Sequence, residues 1–180
     1  MIVVPKFTFM KKFLLAILAV IVTLPLTAQT NDKKQRPELA LGSAMPQFVL
    51  ESSVYGKVSS ADLKGKVVLI NMFATWCGPC QKELAEVKDV LWPKFKDNSS
   101  FKMLVIGREH TDEQLQKYNE KKGFTFPLYP DPSRAVYSLF ADITIPRTYL
   151  YNKEGKLIYS SIGYSQDEFG KLLKAIEGAL

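Results

Sequence analysis

Cysteine and histidine are both scarce in this sequence, whose 180 residues include two cysteines and one histidine. A small secreted protein held together by several disulfides would need more cysteines, and a structural zinc site usually takes four Cys or His ligands. We therefore expect neither a disulfide framework nor a metal site. A disordered chain is excluded as well, because 47% of the residues are hydrophobic, which is enough for one buried core.

A large charge surplus is also missing. The formal net charge is +6, but half of it comes from three lysines in an N-terminal segment that we expect to be removed, Lys6, Lys11 and Lys12. The remaining surplus is small and evenly spread, whereas nucleic-acid-binding domains concentrate Lys and Arg on one face. We therefore expect a mixed, solvated surface and no nucleic-acid partner.

The N-terminal segment has the organisation of a secretory signal peptide. Lys11 and Lys12 precede an apolar run at residues 13–22, and small residues follow near Ala28. The apolar run is shorter than the roughly 20 residues that span a bilayer comfortably. We predict cleavage after Ala28 and hence a periplasmic or secreted protein, with an uncleaved N-terminal membrane anchor as the alternative.

The chain is thus divided into a predicted signal peptide (1–28), a polar linker (29–43) and one domain (44–180). Within the domain, Pro93 is predicted to end the first helix. Turn and capping signals predict strands near residues 48–50, 54–59, 67–73, 101–106, 144–151 and 157–162, and helices that begin near residues 78, 111, 131 and 165. The order is β-hairpin, βαβ, helix, β-hairpin and helix.

The domain is organised around residues 67–80, which read VVLINMFATWCGPC. The initial apolar run is rich in β-branched residues and lacks alternation, which is typical of a strand buried on both faces. After Cys80, apolar residues recur at helical spacing. Cys77 is therefore predicted at a helix N-terminus, where free N–H groups and the helix dipole stabilise a thiolate and lower its pKa. Cys80, one helical turn later, is placed to resolve a mixed disulfide formed by Cys77.

The WCGPC segment at residues 76–80 resembles the active site of thioredoxin, and the surrounding sequence most resembles the extracytoplasmic thioredoxin-like proteins of the TlpA/ResA type. The resemblance covers roughly residues 44–180. It implies an α/β, thioredoxin-like fold, in which a mixed central sheet has helices on both faces and an N-terminal β-hairpin extension. It also implies a thiol–disulfide oxidoreductase, more often a reductase, with Cys77 as nucleophile and Cys77–Cys80 as the redox-active disulfide.

The same resemblance assigns roles to residues around the cysteines. Gly78 and Pro79 would set the turn into the helix and tune the redox potential. Trp76 would cover the dithiol, although a plain core tryptophan is the alternative. Pro146 would follow a cis bond and face the dithiol, so that the backbone of Ile145 pairs with an extended substrate.

Arg147 follows the expected cis-proline and has two interpretations. It would stabilise the thiolate or select acidic substrates, or it would be an ordinary solvated arginine. Another polar group, Arg108-Glu109-His110, ends a predicted strand on the same edge of the sheet as the cysteines. These three residues could form a partner contact or an acid–base cluster, but a lone histidine in a polar loop is usually only a loop residue.

Asn71 is a departure from thioredoxin, which has a buried aspartate six residues before its first cysteine as a proton relay. An amide cannot titrate, so another group would have to do this work. Glu83 follows Cys80 by three residues and shares its helix face, where desolvation would raise the pKa of a carboxyl and suit it to proton exchange with the Cys80 thiol. ResA-like proteins carry a glutamate at the matching position. The alternative is a solvated helix glutamate.

The resemblance implies protein disulfides as substrates, a membrane protein as electron donor and no cofactor. One alternative is a thiol peroxidase of the AhpC/TSA type, which shares the fold. Its motif has a threonine three residues before the reactive cysteine and a proline further upstream, whereas Thr75 precedes Cys77 by two residues and residues 71–73 hold no proline. A second alternative is a non-enzymatic module that binds a partner or a metal such as copper.

Overall fold

The computed structural model describes residue 1 and residues 39–180. The rest of the predicted signal peptide and most of the predicted linker lie outside the described residues. Within the described part, no helix is both long enough and apolar enough to cross a membrane. The strands of residues 39–180 are β1 (Val49–Ser52), β2 (Gly56–Ser59), β3 (Val67–Phe73), β4 (Phe101–Arg108), β5 (Leu128–Asp131), β6 (Arg147–Tyr151) and β7 (Leu157–Ile162). The helices there are α1 (Gly78–Glu86), α2 (Trp92–Phe95), α3 (Asp112–Lys122), α4 (Tyr137–Phe140) and α5 (Gln166–Ala179), with a 3₁₀ turn at Ser60–Leu63 and a π-helical turn at Val87–Leu91.

A mixed sheet forms the centre of the domain, with its strands in the order β5-β4-β3-β6-β7. β3, β4 and β5 run parallel to one another, whereas β6 pairs antiparallel with both β3 and β7. Every residue of β3 is buried, as its apolar sequence predicts for a strand covered on both faces. β1 and β2 form a separate antiparallel hairpin. The predicted mixed sheet with an N-terminal hairpin is confirmed.

Alternate residues of β3 point into two different cores, because side chains alternate between the faces of a strand. Val67 and Leu69 join an apolar cluster that contains both cysteines and side chains from α1, α3 and α5. Val68 and Ile70 join a second cluster with side chains of the hairpin and of α4. Helices therefore cover both faces of the sheet, as predicted, and the cysteines belong to the face that carries α1.

The helix after the cysteines continues past Pro93, so the prediction that this proline ends it is wrong. After α1 the chain makes the π-helical turn, in which the Trp92 N–H donates to the Val87 carbonyl five residues earlier. In a regular α-helix, the proline ring clashes with the carbonyl four residues before it, and the wider turn relieves this clash. The helix then continues as α2 to Phe95.

β5 was not predicted, and the predicted helix start at Asp131 is wrong. Pro130 hides the strand in the sequence, but β5 lies at the edge of the sheet, where a residue without an N–H group is tolerated. α4 begins only at Tyr137. The carboxylate of Asp131, at the end of β5, accepts hydrogen bonds from the N–H groups of Val136 and Tyr137 at 3.2 and 2.7 Å.

Residues 42–45, at the junction of the predicted linker and domain, are hydrogen-bonded to the start of β7 and to the connection that precedes it. The Gly42 N–H donates to the Leu157 carbonyl at 2.8 Å, and the Leu157 N–H donates to the Ser43 carbonyl at 2.9 Å. The Met45 N–H donates to the Gly155 carbonyl at 3.0 Å. The main chain is therefore attached to the sheet from Gly42 onward.

Candidate functional site

Cys77 and Cys80 form a disulfide where the chain passes from β3 into α1. Cys77 is the N-cap residue of α1, and its Sγ accepts the Cys80 N–H at 3.2 Å. Cys77 is 6% exposed, whereas Cys80 is completely buried. The predicted junction of buried strand, cysteine pair and helix is confirmed. Because only Cys77 reaches the surface, it is the sulfur that another molecule can approach.

Three residues around Cys77 lie at the surface. Gly78 and Pro79 are the first two residues of α1 and are exposed. A proline is tolerated there because the first N–H groups of a helix have no partner within it. Trp76 is 65% exposed, which excludes its interpretation as a core tryptophan. The guanidinium carbon of Arg108 lies 5.8 Å from the centre of the indole ring, a cation–π distance.

Glu83 is on the buried face of α1 and is only 4% exposed, so the alternative of a solvated glutamate is wrong. Its Oε2 accepts the Asn71 side-chain amide at 2.9 Å, and its Oε1 accepts the Thr148 hydroxyl at 2.8 Å. Burial raises the pKa of the Glu83 carboxyl above its ordinary value, while the two hydrogen bonds oppose that shift. Glu83 is therefore the buried titratable group on the helix that carries Cys80.

Thr148 belongs to this site but was missed in the sequence. It lies opposite Asn71 in the antiparallel pairing of β3 with β6, and its hydroxyl is 3.1 Å from the Asn71 amide nitrogen. The Asn71 Oδ1 is buried without a hydrogen-bond partner among the described residues. In the sequence, the signal for Thr148 was its position two residues after Pro146. That position becomes informative only when the register of β3 and β6 is known.

The Ile145–Pro146 peptide bond is cis, which confirms the predicted geometry. Ile145 is half-buried and packs against the apolar cluster that contains both cysteines. The Pro146 carbonyl accepts the Gly163 N–H at 2.9 Å, which joins this loop to the end of β7. The loop before β6 therefore lies against the same core as the disulfide.

Side chains hold the carbonyl groups of the loop that precedes Pro146. The Tyr137 hydroxyl lies 2.6 Å from the Ile143 carbonyl oxygen and 2.8 Å from that of Thr144, and Arg134 donates to the Asp142 carbonyl. Arg147 is 8% exposed, so its interpretation as a solvated arginine is wrong. Its Nε donates to the Thr144 carbonyl at 3.4 Å.

His110 lies just after β4 and is 7% exposed, so its interpretation as an ordinary polar-loop residue is wrong. Its Nε2 accepts the Thr75 N–H at 3.0 Å. Burial lowers the pKa of His110, while a hydrogen bond with Gln114 and the charge of Glu109 oppose the shift. Within residues 39–180, no three Cys, His, Asp or Glu side chains come together as metal ligands would.

A central strand that delivers a cysteine pair to a helix N-terminus, beside a cis-proline loop, is the defining geometry of one class of protein. Together with the mixed sheet and its order of strands, it makes this protein a thioredoxin-like protein with a dithiol–disulfide site.

The AhpC/TSA family model matches residues 41–160, so the chain belongs to the AhpC/TSA family. Thiol-disulfide oxidoreductase ResA of Bacillus subtilis (strain 168) is 30% identical to this chain over 125 residues, which are 68% of this chain and 68% of that protein. ResA of Bacillus anthracis is 28% identical over 133 residues, which are 74% and 76% of the two chains. These relatives confirm the resemblance to the TlpA/ResA type.

Solved structures agree with this assignment. A candidate protein disulfide isomerase from Bacteroides thetaiotaomicron has a TM-score of 0.75 and 31% identity, over 79% of this chain and 91% of that chain. StoA from Bacillus subtilis has a TM-score of 0.59 and 23% identity, over 73% of this chain and 99% of that chain, which shows the fold alone.

Proposed function

We propose that this protein is an extracytoplasmic thiol–disulfide oxidoreductase that acts as a reductase of protein disulfides. One observation carries the proposal. The Cys77 sulfur caps α1, accepts the Cys80 N–H and is the cysteine that reaches the surface, while its partner is buried behind it. A nucleophile and a resolving thiol need this arrangement, because the first must meet a substrate and the second must act inside the protein.

In the proposed reaction, the reduced protein begins with Cys77 as a thiolate, which the helix N-terminus favours. The thiolate attacks one sulfur of a substrate disulfide, the substrate S–S bond breaks, and the other substrate sulfur leaves as a thiolate that takes a proton. A mixed disulfide now joins Cys77 to the substrate. Cys80 then attacks the Cys77 sulfur, releases the second substrate thiol and restores the Cys77–Cys80 disulfide. The substrate gains two electrons, and the protein loses two.

Glu83 is the proposed acceptor of the Cys80 proton in the second step. It lies three residues after Cys80 on the same helix, and burial raises the pKa of its carboxyl toward the range where proton exchange is efficient. Asn71 and Thr148 hold both carboxylate oxygens. The acid that thioredoxin places on the strand is thus proposed to be supplied here from the helix.

The surface around Cys77 is the proposed substrate site. The Ile145 backbone beside cis-Pro146 would pair with an extended substrate segment, and the exposed ring of Trp76 would cover the sulfurs. Arg147, whose Nε donates to the Thr144 carbonyl, supports the loop that carries Ile145. We propose that its contribution to substrate binding is through the shape of this loop.

The proposed location is the periplasm or the cell exterior, after removal of residues 1–28, with residues 29–43 as a linker and 44–180 as the catalytic domain. Its support is the lysine, apolar and small-residue pattern of the N-terminus. The mass of the mature protein purified from cells tests it, since a chain that retains residues 1–28 would indicate an anchor instead. A membrane dithiol protein is the proposed electron donor.

The activity is tested by following insulin reduction with wild type, Cys77→Ser and Cys80→Ser. We expect both variants to lose turnover, but only Cys80→Ser to accumulate a mixed disulfide, because its Cys77 still attacks and nothing resolves the product. The reduction potential tests the direction. A reductase is expected near the roughly −270 mV of thioredoxin, and a value near about −120 mV would indicate an oxidant.

Two parallel assays separate the alternatives. A peroxidase of the AhpC/TSA type would consume hydrogen peroxide at a rate that depends on Cys77 and would reduce insulin poorly. A non-enzymatic module would keep its partner in Cys77→Ser and show no turnover in wild type. Either pattern would replace the proposed activity.

A further inference from the structure

The turn at residues 74–77, which carries Trp76 and Cys77 into α1, is held by side chains from elsewhere in the protein. Within the turn, the Cys77 N–H donates to the Ala74 carbonyl at 3.1 Å. The Thr75 N–H has its partner in the imidazole of His110, which follows β4, at 3.0 Å. The main-chain path to the reactive sulfur therefore depends on a residue 35 positions away in the sequence.

Two further side chains, Gln81 and Tyr118, hold the carbonyl groups of the same turn. The Gln81 side-chain amide lies 3.3 Å from the Thr75 carbonyl and 3.5 Å from the Ala74 carbonyl. The Tyr118 hydroxyl, on α3, donates to Gln81 Oε1 at 2.6 Å and so fixes its orientation. His110 thus binds an N–H group of the turn, whereas Gln81, held by Tyr118, binds carbonyl groups of the turn. Together they specify its position.

We propose that His110 is a positioning residue for disulfide exchange, whose neutral imidazole holds the Thr75 amide and thereby keeps Trp76 and Cys77 in their reactive positions. The inference rests on the proposed function. An imidazole nitrogen accepts a hydrogen bond only while it is unprotonated, so the Thr75 N–H requires the tautomer with its proton on Nδ1. Protonation turns Nε2 into a donor that faces another donor, and the turn loses this restraint.

The neighbours of His110 are compatible with a neutral imidazole. β3 contributes the Phe73 ring, whose centre lies 6.4 Å from that of the imidazole, and α3 contributes the uncharged Gln114 amide. The charged neighbour is Glu109, whose carboxylate is engaged by Arg108 at 3.1 Å and by Arg134 at 3.7 Å. Burial outweighs the attraction of Glu109 and lowers the pKa of His110. The restraint therefore persists at neutral pH and is lost in acid.

Two variants isolate this role. His110→Phe keeps a ring in the same space but offers no acceptor, whereas His110→Gln offers a side-chain oxygen near the place of Nε2 and cannot titrate. Exchange with dithiothreitol is measured for both variants and for wild type from pH 5 to 8. We expect His110→Phe to be about tenfold slower than wild type at pH 7, because small misplacement of a reacting group costs large factors in rate. His110→Gln is expected within about threefold of wild type, because it restores the hydrogen bond.

The pH profile provides a readout that a purely structural role would not change. The exchange rate of wild type divided by that of His110→Gln is expected to fall in acid, because only wild type can lose the hydrogen-bond acceptor by protonation. His110→Phe with wild-type rates, or a ratio that does not change with pH, would overturn the proposal.

A measurement on unmodified protein covers the case in which His110→Phe does not fold. The chain has one histidine, so its ¹⁵N NMR resonances need no assignment by mutation. We expect the Nδ1–H tautomer and a Thr75 amide that exchanges slowly with solvent, and the Nε2–H tautomer would contradict the proposal. If wild type exchanged disulfides no faster than Cys77→Ser, the proposed function would fail, while the tautomer and amide exchange would still test the hold on Thr75.

Discussion

Two buried titratable side chains flank the disulfide, and they are held by different kinds of partner. Glu83 is on the buried face of α1, and its carboxylate accepts hydrogen bonds from the side chains of Asn71 and Thr148. His110 lies at the end of β4, and its imidazole accepts a main-chain N–H, that of Thr75. Burial favours the uncharged form of both groups, because it raises the pKa of Glu83 and lowers that of His110.

The difference in partners explains the difference in the roles that we propose. A carboxyl held by side chains can gain or lose a proton while those side chains adjust and the main chain stays in place. An imidazole held by a main-chain amide loses its function as an acceptor when it takes a proton. Glu83 is therefore suited to exchanging a proton, whereas His110 is suited to maintaining a conformation.

The largest expected effect is that of Glu83→Gln on the rate of exchange. The amide cannot accept the Cys80 proton, so we expect exchange to slow by about tenfold or more near neutral pH, and the limb of the pH profile that belongs to Glu83 to disappear. Stopped-flow exchange with dithiothreitol from pH 5 to 9 measures both. Rates equal to wild type across this range would remove Glu83 from the mechanism.

The same variant is expected to be more stable than wild type at pH 7. A carboxyl whose folded pKa is raised above its unfolded value of about 4.5 contributes full stability below that value and loses it as the pH rises through the folded pKa. Glutamine carries no such loss. Urea denaturation of the oxidised proteins should show the advantage at pH 7 and its disappearance toward pH 4.5, whereas parallel stability curves would contradict the buried-carboxyl argument.

A smaller effect is expected when the support of Glu83 is removed. Thr148→Val deletes the hydroxyl that donates to Glu83 Oε1, and Thr148→Ser keeps it. Since that hydrogen bond lowers the pKa of Glu83, its loss should move the Glu83 limb to higher pH and slow exchange at pH 7 about fivefold, the equivalent of one ordinary hydrogen bond. Identical profiles for the valine and serine variants would show that Thr148 contributes only to packing.

The smallest expected effect concerns stability in acid. Because the folded pKa of His110 lies below its ordinary value of 6.5, its neutral form contributes stability that is present above pH 6.5 and is lost as the pH falls toward the folded pKa. The free energy of unfolding of wild type minus that of His110→Gln, measured by urea denaturation from pH 7 to 5, should therefore decrease as the pH falls. Glu83 contributes a trend of opposite sign, but both proteins carry Glu83, so its trend cancels in the difference. A difference that does not change with pH would show that folding does not alter the pKa of His110.

Most of the fold could be predicted from local patterns. The three errors are the helix end at Pro93, the unpredicted β5 and the helix start at Asp131, and they fall beside prolines whose surroundings the sequence does not reveal. Pro93 reads as a helix end because the sequence does not reveal the π-helical turn that accommodates it. Pro130 hides β5, because the strand becomes acceptable only at a sheet edge. The bounds of β7 and the start of α3 at Thr111 were predicted, since turn and capping preferences act between neighbours in the chain.

The sequence by itself determined the position of the Cys77–Cys80 pair at the junction of a buried strand and a helix, and the helix face that Glu83 shares with Cys80. These are consequences of spacing within one segment. Only the tertiary structure decided what holds them. Asn71 meets Thr148 across 77 residues, and Thr75 meets His110 across 35, because the order and register of the strands bring distant segments together. A hydrogen bond between such residues has no signature in either segment alone, and this is why the support of the site emerged only with the fold.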